Sequence, residues 1–161
     1  MNHNAESIKD LLGLHVDLSQ ELIRAIIDFT LVFSLTEQKL MDGEGAIGRT
    51  DKYAKDLVDN YGMNADNEFN YFHRRYILDE DAKHHLDSLC PDRPRDREKV
   101  HAALVKIEPS NFDKVNAVLK VCLRLRHNLF HGNKWQYNLR GQEHNLNTVT
   151  HLFSRYLNRL G

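Results

Sequence analysis

Cysteine and proline are scarce in this 161-residue chain, with two of the first and three of the second. Cys90 and Cys122 make no disulfide framework, and they do not form a C-x-x-C pair of the redox or zinc kind. Long apolar runs are missing too. The longest, Leu22 to Leu35, is interrupted by Arg24, Asp28, Thr30 and Ser34, well short of a membrane span. No charged-then-apolar leader ends in a small-residue cleavage site, so the expectation is a soluble, cytoplasmic protein with no membrane contact. Sustained alternation of β-branched residues is absent, which argues against a sheet and leaves helices. The glycines at 43, 45 and 48 fit neither G-x-G-x-x-G nor G-x-x-x-x-G-K-[ST], so no nucleotide-binding loop is expected.

A marked excess of one charge is also lacking, since the formal net charge is only −1. That mean conceals an asymmetry. Residues 1–90 hold 9 basic against 17 acidic side chains, a net of −8, whereas residues 91–161 hold 13 against 6, a net of +7. A basic half suits an anionic ligand, although two opposite halves can equally attract each other within a fold or across a dimer.

What remains is helical periodicity in a length that fits one domain, residues 1–161. A first helix is expected from about Leu18 to Met41, with Asp17 as N-cap and a stripe of Leu22, Ile23, Ile26, Phe33 and Leu40. A glycine-punctuated loop, residues 42–48, leads to a helix over Asp51 to Tyr61 that ends at Gly62. Residues 68–78 and 79–89 have weaker helical patterns, and Phe69 to Tyr76 interleaves aromatics with arginines in a way that reads as core rather than as a base-stacking platform. Pro94 opens a helix reaching about Ile107, and Arg93, Arg95, Arg97 and Lys99 alternate with acids around it, which reads as a solvated helix start. Ser110, with Asp113 at N3, caps the next one, which carries Val115, Val118, Leu119, Cys122, Leu125 and Leu129 to Phe130 and stops at Gly132. A last amphipathic helix spans Asn145 to Leu160. These elements predict an all-α fold, a compact up-and-down bundle of about five helices.

The chemistry-bearing stretch lies at the end of the helix that Ser110 caps, Arg124-Leu-Arg-His-Asn-Leu-Phe-His-Gly-Asn-Lys134. Arginine is permanently charged and grips phosphate with a planar fork, and histidine exchanges a proton near neutral pH. Arg126 and His131 stand five residues apart, which resembles the R-x4-6-H motif of the HEPN superfamily, with His127 in the polar slot after the arginine and Asn128 next. The resemblance covers nine residues, and its expected context is a late position on a long helix followed by one more helix. It implies a metal-independent endoribonuclease working as a homodimer with a composite active site, and the wider family suggests a toxin or defence effector held by an antitoxin or other regulatory protein. It assigns catalysis to Arg126 and His131, support to His127 and Asn128, and loosely to Glu37, with no cofactor. Lys134 and Arg124 are expected to attract the RNA backbone.

Helical phase adds an observation that owes nothing to the family. Arg126 lies only roughly 20° around its helix from Val115, and Glu37 falls in the inward stripe of Ile26, Phe33 and Leu40. An unpaired buried charge costs several kcal/mol, so these two predict each other, either as a plain internal salt bridge or as part of an active-site cleft. His131, by contrast, should lie roughly 140° from Arg126 on a regular helix, which a loosened last turn or a two-fold dimer could reconcile. His127 and His131 also form an H-x3-H pair, but H-E-x-x-H is absent and no third ligand has sensible spacing, so no metal is expected. The alternative function is a non-catalytic module binding RNA, a nucleotide or a protein.

Overall fold

Apolar side chains on almost every side of one helix decide the architecture. The computed structural model describes residues 18–131, 139 and 141–159. Asp17, Gly132 and Lys134, to which sequence reading gave a cap, a stop and an RNA contact, lie outside the described residues. Seven α-helices follow one another: α1 (Gln20–Leu40), α2 (Thr50–Tyr61), α3 (Asp66–His73), α4 (Ala82–Leu89), α5 (Pro94–Leu104), α6 (Asn111–Phe130) and α7 (Glu143–Leu157). Among the described residues there is no strand, so the fold is all-α, with seven helices in place of about five. The difference arises in residues 63–93, where α3 runs through a π-helical turn, Arg74–Leu78, and α4 follows as a separate short helix.

Helix α6 is the central element. It buries eleven residues, from Val115 to Leu129, and α2, α3, α4, α5 and α7 all pack on it. Helix α1 lies chiefly along α7 and turns Leu22, Phe29, Phe33 and Leu40 inward. A helix that is enclosed all round can keep polar side chains only where each finds a partner. Lys120 donates to Thr50 Oγ1 at 2.6 Å and to Asn116 Oδ1 at 2.7 Å. Arg124 meets Asp96 at 3.0 Å. The aromatic run is core, as Phe69, Phe72 and Tyr76 are buried.

Local chemistry sets the ends. Ser19 caps α1 by accepting from the Leu22 N–H at 3.1 Å. Gly62 closes α2 in the left-handed region at φ +60°, a conformation that glycine adopts without the usual Cβ penalty. Helix α5 stops at Leu104, and Ile107 is 88% exposed beyond it. Helix α6 begins with a full capping box, in which Ser110 Oγ accepts from the Asp113 N–H and the Asp113 carboxylate accepts from the Ser110 N–H at 2.9 Å.

This cap makes a prediction. The Lys106 ammonium at 2.6 Å, with help from Ser110, holds the Asp113 carboxyl below its usual range. A carboxyl whose folded pKa is depressed contributes stability that is complete above the unfolded value and lost as pH falls through the folded one. Ser110→Ala should cost about 1 kcal/mol. Asp113→Asn should flatten the acid limb of the stability curve below about pH 4, read by urea unfolding at a series of pH values. An acid limb identical to wild type would remove Asp113 from the account.

Candidate functional site

Glu37 sits near the end of α1 on the side that faces α6, and the chain folds back over it. Its carbonyl accepts from the N–H groups of Met41 and Gly43, at 3.1 and 2.9 Å, and turns the chain. Its carboxylate then accepts from the Gly45 N–H at 2.9 Å. A Cβ at position 45 would stand 2.7 Å from Glu37 Oε1 and 3.1 Å from Leu123 Cδ2, so only glycine lets the loop approach this closely. Sequence reading took Gly45 as loop punctuation; nothing local marks it as the neighbour of Glu37.

The same carboxylate oxygen lies 3.5 Å from Arg126 Nη2, so the two inward charges do meet. The pair is only partly enclosed, with the Arg126 side chain 34% exposed and that of Glu37 18%. The Arg126 guanidinium also rests between two rings, 5.6 Å from the centroid of Phe33 and 5.9 Å from that of Phe130. Aromatic faces attract a cation without using up its N–H donors, so the fork stays available to an anion.

Arg126 borders an open cleft of about 190 Å³. Residues 45–47 form one wall, Arg93 and Asp96 at the start of α5 another, and Leu123, Arg124, Arg126 and His127 of α6 the third. Helical geometry explains the α6 contribution. Leu123 and His127 run down the middle of one face, with Arg126 and Arg124 at its two margins. His131 continues that face one turn beyond His127, and the two imidazole rings lie 4.4 Å apart, tilted by 35°. His131 is exposed, is the C-terminal cap residue of α6 and donates its N–H to the His127 carbonyl at 3.0 Å. Arg126 and His131 therefore flank one face of α6 without standing side by side.

Other expected participants are placed elsewhere. Arg124 borders the cleft, but its side chain is only 4% exposed and committed to Asp96 and to the Leu89 carbonyl, so within this fold it is a structural cation more than a surface contact for RNA. Asn128 turns away from the cleft, donating to the Leu89 carbonyl at 2.9 Å beside a small cavity of about 20 Å³ with room for about one water. Cys122 is fully buried, and burial pushes its thiol well up, away from nucleophilic use. Among the described residues no three His, Cys, Asp or Glu side chains form a group able to hold a metal ion. No helix among them is long and apolar enough to cross a membrane.

Comparison of the chain with protein-family models, with curated proteins and with solved structures finds no match.

The Gly45–Glu37–Arg126 linkage is testable as a unit. Gly45→Ala should force the carboxylate off the loop amide and lower stability by about 1–2 kcal/mol, the scale of a part-buried charged hydrogen bond. Combined with Glu37→Gln, the losses should be clearly less than additive in a double-mutant cycle. Full additivity would mean that the loop and the carboxylate act independently.

Proposed function

We propose that this chain is a HEPN-like helical domain, working in the cytoplasm as a metal-independent endoribonuclease. The observation that carries the reading is the shared cleft: the Arg126 fork and the His127 ring line one solvent-open cavity, and His131 extends the same helix face by one turn. In the reaction the ribose 2′-OH attacks the adjacent phosphorus and the P–O5′ bond breaks, leaving a 2′,3′-cyclic phosphate and a 5′-OH. One proton leaves the 2′-oxygen and one reaches the departing 5′-oxygen. His131 carries one of these transfers as general base or acid. Arg126 holds the phosphate and stabilises the charge that builds on its oxygens. His127, whose ring lies against that of His131, orients it, and Glu37 positions Arg126. Lys134 adds backbone attraction, and a toxin or defence role under a regulatory protein follows from the family resemblance.

Arg126 and His131 lie at different margins of their helix face, which favours a composite site built by two copies. Helix α1 offers apolar side chains that such a contact could use. Ile27, Leu31 and Leu35 are 44%, 61% and 48% exposed and are spaced by four residues on the side away from the core. The stripe is evenly spaced about Leu31, which suits an isologous two-fold contact in which Ile27 meets Leu35 of the second copy. Leu31→Glu should yield a folded monomer by light scattering with cleavage strongly reduced. A Leu31→Glu protein that remains dimeric would move the contact elsewhere.

The second reading is a non-catalytic binding module, and the Glu37–Arg126 ion pair favours it, because a satisfied arginine can be purely structural. Cleavage of RNA in EDTA separates the two. Arg126→Ala and His131→Ala should each slow it by at least ~100-fold. Arg126→Lys should also fail, since an ammonium cannot replace the planar fork. His127→Ala should be milder than His131→Ala. Chelator-sensitive cleavage with equal losses at both histidines would replace this mechanism by a zinc-dependent one, and folded wild-type protein that binds RNA without cutting it would establish the module.

A further inference from the structure

Three arginines border the cleft, and what holds each of them differs. Arg124 is buried and paired with Asp96 at 3.0 Å. Arg126 is partly exposed and paired with Glu37 at 3.5 Å. Arg93 is exposed, and its side chain has no ion-pair or hydrogen-bond partner among the described residues. Its backbone is nonetheless well placed. The Arg93 N–H donates to the Cys90 carbonyl at 3.3 Å, and Pro94 starts α5 immediately after it. Among the described residues, the fixed charges lining or touching the cleft are the three arginines against Asp96 and Glu37, which leaves an excess of one positive charge before His127 is considered. That excess resides on Arg93, the arginine with no acidic partner among the described residues.

We propose that Arg93 and Arg126 are opposing jaws of a phosphate-binding site, with Arg93 gripping from the start of α5 an anionic oxygen of the group that Arg126 holds from α6. The fold keeps Arg93 exposed at the start of α5, as the alternating charges imply, and also places it in the lining of the cleft that Arg126 borders. The ligand class is a phosphodiester or terminal phosphate of a nucleic acid. At about 190 Å³ the cleft is smaller than the ~300–1,000 Å³ that encloses a drug-sized molecule, so it takes a phosphoryl group and leaves sugar and base outside. That geometry gives little base discrimination from this site. An Arg fork offers paired donors to two phosphate oxygens, so two such forks from different walls fix the orientation of the group as well as its position. The identification of the polymer as RNA rests on the proposed function; phosphate capture by Arg93 and Arg126 does not.

The experiment uses two probes on the full chain. Inorganic phosphate titrated into 15N-labelled protein should shift the Arg93 and Arg126 side-chain Nε–Hε signals together, with a common dissociation constant. A 2′-O-methyl oligoribonucleotide, which lacks the attacking hydroxyl, should bind Arg93→Gln at least ~5-fold more weakly than wild type at low salt. For that variant the slope of log affinity against log salt should be shallower by about one, the change expected when one phosphate fewer is neutralised. Arg93→Lys should retain most of the affinity, and Arg93→Gln should melt at the wild-type temperature because, among the described residues, the side chain has no internal hydrogen bond or ion pair. With cleavable RNA, Arg93→Gln should raise KM and also lower kcat, because Arg93 contacts the same phosphate whose charge Arg126 stabilises. If phosphate moves both signals while wild-type protein cuts no RNA, the nuclease reading fails and the phosphate site stands. If RNA is cut but Arg93→Gln changes neither KM nor the phosphate titration, the Arg93 jaw is wrong and the nuclease reading stands. Phosphate moving Arg126 alone would also overturn the proposal.

Discussion

A carboxylate placed on the inward side of a helix must be satisfied, and around Glu37 that requirement organises one end of the molecule. One oxygen of Glu37 receives the Gly45 amide and the Arg126 guanidinium together. The loop after α1 is thereby pinned over the end of α6, and the arginine is held at the edge of a cavity. Had Glu37 been apolar, the loop would have had no reason to approach so closely and Arg126 no reason to stay in the stripe of Val115 and Cys122. A fully buried pair of this kind is expensive to desolvate. Here the side chains remain partly wet, so the cost is modest and the guanidinium keeps donors to spare.

The position of the cleft follows from the central role of α6. Its middle, from Ala117 to Leu125, is buried beneath its neighbours, and its cations there are answered one by one, Lys120 by Thr50 and Asn116, Arg124 by Asp96. Towards the C-terminus the burial lapses, so that Arg126 and His127 are half-buried and Phe130 and His131 are exposed. The reactive residue types therefore sit where a rigid, enclosed helix emerges, which gives side chains a fixed base and an open front.

Features governed by neighbours in sequence were legible from the sequence alone. The Ser110–Asp113 box, the stripe from Val115 to Leu129 and the glycine stop at Gly62 each depend on residues within a turn or two, and they form as expected. The Glu37–Arg126 pairing was legible because both charges violate the phase of their own helix. Features set by distant partners were not. Arg124 and Arg126 are two residues apart, and composition cannot tell which is sealed; the answer lies with Asp96 on another helix. Asn128 seemed to belong with the motif, but a carbonyl at the end of α4 claims it. Arg93 looked like one more charge in an alternating run, and only the packing of α5 on α6 brings it to the cleft.

The central claim is that this cleft cleaves RNA through the ribose hydroxyl. The most direct test is an oligoribonucleotide containing a mapped cleavage site, compared with the same molecule carrying a single 2′-deoxy substitution at the nucleotide that supplies the attacking oxygen, both in excess EDTA. The account predicts that the all-ribose strand is cut to 2′,3′-cyclic phosphate and 5′-OH ends while the substituted strand survives at that site. Cleavage of the deoxy-substituted position, or products bearing 5′-phosphate ends, would contradict it.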